Sequence, residues 1–187
     1  AIHLIIINLI LLNINLIYQN QDLSFIIISQ IIILFSFLLF NFPKAKIFFG
    51  DSGAYLFGSL TALNIIKTNN YIEEVSSFFF CILLFYLFFE VFFSFFRKII
   101  NNQSPFKPDN KHLHMLIYKY IKIVFNFRNS NSINSILINL GYLLLIFPAI
   151  YFKENGIFCR YWFIFTLIIY VLFYLKIISF LKNKIDI

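Results

Sequence analysis

Three stretches of this sequence carry residues able to do chemistry inside an otherwise apolar chain. The first is FNFPKAKIFFGDSGAYLFGS, residues 40–59, where Asp51 and Ser52 sit between Gly50 and Gly53. A carboxylate flanked by glycines lets a cation and a phosphate approach the backbone closely, and the helix expected to follow offers its positive end to an anion. The same four residues also fit a turn in which Asp51 or Ser52 caps that helix. The second stretch is SPFKPDNKHLHMLIYKYIKIVF, residues 104–125, with Lys107, Lys111, His112 and His114. The third is Glu90, a carboxylate inside an apolar run, where ionisable groups are costly and usually functional. Arg97 follows seven residues later, two helical turns on the same face, so an ion pair between the two and a role in supporting the site are both open.

These residues must be positioned by membrane helices. The chain has 187 residues, 61% hydrophobic and 12% charged, with 28 Phe, and its mean hydropathy is +0.86. A soluble domain of this size cannot bury so much apolar surface, so lipid is the expected solvent. Apolar runs fall near 2–18, 24–42, 54–68, 75–97, 133–152 and 159–181. Most approach the ~20 residues a spanning helix needs, which predicts an all-α polytopic fold of about six transmembrane helices. The first run carries Asn8, Asn13 and Asn15, and the third is short, so five spans is the fallback. Alternating from a cytoplasmic N-terminus puts 12 of the 15 Lys and Arg inside, leaving Lys67, Lys153 and Arg160 outside. That asymmetry follows the positive-inside rule and places Asp51 and a 98–132 loop in the cytoplasm. The net charge of +7 therefore reads as topology, and no nucleic acid partner is expected.

Within the loop, Pro105 and Pro108 stop any helix before Asp109, which is placed to cap a new one. Leu113, Leu116, Ile117, Tyr120, Ile121 and Val124 recur at helical spacing, with Lys111, Lys119 and Lys122 on the other face. This predicts one amphipathic helix lying in the membrane interface, its N-terminus open to a phosphate. His3, Cys81 and Cys159 read as ordinary residues of apolar runs.

Residues 40–59 resemble a block of the polyprenyl-phosphate N-acetylhexosamine-1-phosphate transferases, within glycosyltransferase family 4, that reads FNF-P-A-x-I-F-M-G-D-S/T-G. SPFKPDNKHLH resembles the family's later cytoplasmic motif, P-F-x-P-D-x-x-H-L-H-H, and Glu90 with Arg97-Lys98 matches the acidic and basic residues before it. The resemblance covers about residues 24 to 120. It implies transfer of a sugar 1-phosphate from a UDP-sugar to a polyprenyl phosphate such as undecaprenyl phosphate, with release of UMP. It implies a requirement for Mg²⁺, Mn²⁺ being allowed, and a multi-pass protein of the bacterial inner membrane whose active face is cytoplasmic. Asp51 takes the metal role, His112 and His114 lie near the diphosphate, and Asn41 lies near the nucleotide. Lys107 and Lys111 are our own additions to the anion site, and Glu90 and Arg97 support it. A homodimer is allowed.

The departures are specific. Met115 stands where a third histidine is common, and Glu90 where Asp is frequent. The family's paired aspartates and Asn-x-x-Asp-Gly motif precede the matched blocks, and no Asp-Asp pair occurs here. The chain is thus expected to be one integral-membrane domain, residues 1–187, forming the C-terminal portion of a longer transferase and inactive alone. The spaced His112-Leu113-His114 favours an N-acetylglucosamine-type enzyme that starts a cell-envelope glycan such as lipopolysaccharide O-antigen, capsule or teichoic-type polymer. A polytopic transporter using Glu90 and Asp51 is the alternative class.

Overall fold

A computed structural model describes residues 1–107 and 109–185; Pro108, expected to help stop a helix, lies outside them. The described residues form helices without strands: α1 (Ile2–Ile17), α2 (Gln21–Asn41), α3 (Gly50–Tyr71), α4 (Ser77–Ile100), α5 (Leu113–Phe125), α6 (Ser130–Tyr151) and α7 (Gly156–Ile185). Every expected apolar run has become a helix, and α5 is the amphipathic one. Four helices, α2, α4, α6 and α7, are long and apolar enough to cross a bilayer. α1 is a shorter apolar helix of 16 residues, roughly 24 Å. α3 has the length, 22 residues, but carries polar groups along it. The chain divides into two compact units, Ala1–Phe80 and Cys81–Ile187.

In the first unit, Ile7, Leu11 and Ile14 of α1, Ile27 and Leu34 of α2, and Phe57 and Ile65 of α3 are buried. A polar ladder runs beside them. Asn15 Nδ2 donates to Thr68 Oγ1 (2.8 Å), and Asn8 Nδ2 donates to Thr61 Oγ1 (3.4 Å). Asn64 Nδ2 donates to Asn8 Oδ1 (3.3 Å) and to Gln30 Oε1 of α2 (2.8 Å). Both Asn–Thr rungs join residues 53 apart, one step of seven along each helix, so α1 and α3 run parallel. In lipid, where apolar surfaces gain little by meeting each other, such polar contacts and close packing hold helices together. Asn8 and Asn15, which interrupt the first apolar run, are therefore rungs, while Asn13 is exposed.

In the second unit, α5 buries Leu113, Leu116, Ile117 and Ile121 and packs against α6 and α7. Tyr142 OH of α6 donates to Leu83 O of α4 (2.7 Å), and Trp162 Nε1 of α7 donates to Leu145 O of α6 (2.8 Å). α4 meets α7 through rings: Phe89 and Phe93 lie edge-on to Tyr170, with centroids at 5.0 and 5.5 Å.

Candidate functional site

The first unit contributes Asn41 and Asp51. Asn41 ends α2, and its Nδ2 donates to Ile47 O (2.8 Å), closing the connection to α3. The Phe37 and Phe49 rings meet across that connection at 4.9 Å. Gly50 has φ +66°, a left-handed value that favours glycine, so conformation explains the glycine before the aspartate. A Cβ there would meet nothing within 4 Å. Asp51 is exposed in the first turn of α3. Neither it nor Ser52 caps that helix: the N-cap is Phe49, and no side-chain cap bond forms. Ile5, Leu34 and Phe57 form one layer of the unit. Asn41 lies seven residues past Leu34 on α2, and Asp51 six before Phe57 on α3. Rises of roughly 10 and 9 Å from the shared layer bring the two polar residues to the same end of this unit.

The second unit holds the histidine motif, and here the chain turns back along α4. Lys98 Nζ donates to Pro105 O (3.0 Å) and to Lys107 O. Arg97 forms an ion pair with Asp109 and donates to Lys111 O (2.6 Å), Ser94 Oγ (3.2 Å) and Tyr174 OH. Nearer the helix centre, Glu90 Oε1 accepts from His112 Nδ1 (3.0 Å) and from the Leu113 backbone N–H (2.8 Å). Glu90 Oε2 accepts from Tyr170 OH (2.5 Å). Residues 105–107 and 109–113 are thus strapped antiparallel to α4, from Lys98 back to Glu90, about 12 Å of helix.

Three expectations are corrected. Glu90 and Arg97 do not pair with each other, because seven residues separate their Cα atoms by roughly 10 Å along the helix and the returning strap brings closer partners. Asp109 caps no helix; it accepts from the Lys111 N–H (2.9 Å) while holding Arg97, and α5 starts at Leu113. The first N–H of α5 is not open to a phosphate, since Glu90 already accepts from it.

The remaining site residues are placed simply. The side chain of Lys107 is exposed and those of Lys111 and His112 are half-buried. His112 and His114 stack with ring centroids 5.6 Å apart. Asn134 of α6 holds the His114 carbonyl (3.0 Å). His114 reaches solvent, yet partial desolvation lowers its pKa from the usual 6.5; Glu90 acts to raise it and His112 to lower it. Among the described residues no group of three or more His, Cys, Asp or Glu could hold a metal ion. Of the two candidate site carboxylates, Glu90 is buried and Asp51 exposed; a Mg²⁺ bound largely through substrate phosphates typically takes one or two protein carboxylates.

Tyr170, Tyr174, Ser94 and Asp109 as the partner of Arg97 were not identified from sequence. The available signal was a pair of tyrosines four residues apart inside the last apolar run, since a buried hydroxyl needs a partner.

Residues 1–69 match the model of glycosyl transferase family 4. The chain is 32% identical over 108 residues to the undecaprenyl-phosphate α-N-acetylglucosaminyl 1-phosphate transferase of Thermotoga maritima, covering 57% of this chain and 33% of that protein. It is 27% identical over 164 residues to a Bacillus subtilis protein named "probable undecaprenyl-phosphate N-acetylglucosaminyl 1-phosphate transferase", covering 87% of this chain and 43% of that one. The chain thus spans less than half the length of either relative. No solved structure matches significantly. The motif order, the family match over residues 1–69 and both relatives agree in likening the chain to glycosyl transferase family 4.

Proposed function

We propose that this chain forms part of an enzyme that transfers N-acetylhexosamine 1-phosphate from a UDP-sugar to undecaprenyl phosphate. The observation that carries this reading is the Glu90–His112 contact. With Nδ1 donating to the carboxylate, the protonated form of the half-buried ring has its Nε2–H left to donate to a phosphate oxygen. The strap sets this group back along α4 from its end, which suits a phosphate carried by a lipid.

An oxygen of the lipid phosphate attacks the sugar-linked phosphorus of the donor. The bond from that phosphorus to the bridging oxygen breaks, UMP leaves, and a polyprenyl diphosphate-sugar forms. His112 and His114 hold diphosphate oxygens, and Lys107 and Lys111 add positive charge. Asn41 is assigned to the nucleotide; its Nδ2 holds the loop, which leaves Oδ1 as an acceptor. Asp51 would hold Mg²⁺, which when bound supplies charge neutralisation on the diphosphate. Glu90 and Arg97 keep the strap in place. The enzyme is proposed to work at the cytoplasmic face of the bacterial inner membrane.

The test is reconstitution of the full-length protein in vesicles containing undecaprenyl phosphate, with labelled UDP-N-acetylhexosamines and Mg²⁺. Label should enter the lipid as UMP is released. Lack of lipid-linked label with every donor, from a folded protein, would overturn the reading. Sidedness has its own test. Cysteines introduced at 115 should resist impermeant labelling in intact cells and those at 155 should label; the reverse pattern would reject the cytoplasmic placement.

A further inference from the structure

Among the described residues, Glu90 has three hydrogen-bond donors. Two come from the histidine segment, and the third is Tyr170, 80 residues further along the chain. Tyr170 is buried, and its ring lies edge-on against Phe89 and Phe93, so the direction of its hydroxyl is set by packing. One turn later on α7, the buried Tyr174 packs on Phe93 (4.8 Å), and its hydroxyl accepts from Arg97. α7 therefore touches two of the three charged groups that hold the strap, Glu90 and Arg97.

We propose that Tyr170 is a positioning residue for His112. By holding Glu90 Oε2, it keeps Oε1 turned to His112 Nδ1 and the Leu113 N–H, and so α7 decides which imidazole nitrogen remains free. The physical ground is that a buried carboxylate oxygen left without a donor is costly, so a glutamate lacking the tyrosine hydroxyl must turn to find another. That turn releases His112 Nδ1, and the tautomer of an imidazole follows the bond its other nitrogen makes. Other polar groups near His112 are His114 stacked on it, Lys111 and the Arg97–Asp109 pair in the strap, Tyr174 on α7, and Asn134 of α6 at the His114 carbonyl. Only the phosphate assigned to Nε2 rests on the proposed function; the Tyr170–Glu90–His112 relation stands without it.

The test is nitrogen-15 NMR of histidine-labelled chain in lipid nanodiscs, at a pH where His112 is neutral. Wild-type His112 should carry its proton on Nδ1. Tyr170→Phe keeps the ring contacts and should shift the tautomer ratio toward Nε2–H by about fivefold, the scale of one net hydrogen bond. Tyr142→Phe, also a buried tyrosine of this unit but bonded to Leu83 O, should not move it. An unchanged ratio in Tyr170→Phe would overturn the proposal, and so would a wild-type His112 already protonated on Nε2. In the full-length enzyme, Tyr170→Phe should lower kcat about 10-fold, as loss of an orienting partner commonly does, with KM nearly constant. A tautomer shift seen in a protein that transfers no sugar phosphate would support the positioning role and count against the proposed function.

Discussion

Asp109→Ala gives the most direct test of the strap. Arg97 and Asp109 form an ion pair with side chains only 13% and 10% exposed. Removing one partner from a buried pair usually costs about 3–5 kcal/mol, because the other charge stays buried without compensation. Arg97 would still have Ser94 Oγ, Lys111 O and Tyr174 OH, so the lower end, about 3 kcal/mol, applies. For a chain of this length, that corresponds to a fall in Tm of about 6–12 °C. Asp109→Asn keeps an acceptor for the Lys111 N–H and should lose about half as much. Arg97→Met combined with Asp109→Leu removes both charges and should melt above Asp109→Ala. Thermal unfolding in a mild detergent, followed by fluorescence of Trp162, reads all of these. A Tm for Asp109→Ala within about 2 °C of wild type, or a double variant that loses the full sum of the single losses, would refute the pairing. A cycle between Glu90→Gln and Arg97→Gln should be additive to within about 0.5 kcal/mol, since those two side chains hold different partners.

Asp51→Asn should leave Tm unchanged, because Asp51 caps nothing, and should cut transfer by the full-length enzyme about 10²-fold; near-normal turnover would remove Asp51 from the site. Gly50→Ala should cost roughly 1–2 kcal/mol through φ alone, with Gly50→Asn milder, and equal stability of all three would contradict the left-handed turn. In the ladder, Asn64→Leu leaves Asn8 and Gln30 each without a partner amide and should destabilise more than Asn15→Leu, after which Thr68 still donates to Asn64 O; unfolding titrations of the two variants give the order.

The helices were legible because lipid simplifies the pattern. The 2–18 and 24–42 runs became α1 and α2 almost unchanged. The 54–68 run became the longer Gly50–Tyr71 helix because its ends are polar yet helical, so hydropathy alone cut them off. Among the site residues, Glu90 announced itself: a carboxylate within an apolar run demands partners. Which partners could not be read. Periodicity along one helix points from Glu90 to Arg97, but Asp109 and His112 arrive by the chain reversing direction after α4. That reversal is a tertiary event, specified by Lys98, Arg97 and Glu90 acting together on residues 105–107 and 109–113. Tyr170 was illegible for the same reason, since nothing local ties residue 170 to residue 90.

The asparagines of α1 carry the same lesson into the first unit. Read singly, Asn8 and Asn15 only weaken a hydrophobic run. Read against α3, they meet Thr61 and Thr68 at one constant offset, and a slip of α3 along α1 would break both rungs together. Gln30 ties α2 to the same ladder through Asn64. The register so fixed is what brings the end of α2, with Asn41, level with the start of α3, with Asp51. Polar residues that make these helices poorer membrane spans are therefore the ones that set where the chemistry-bearing ends lie.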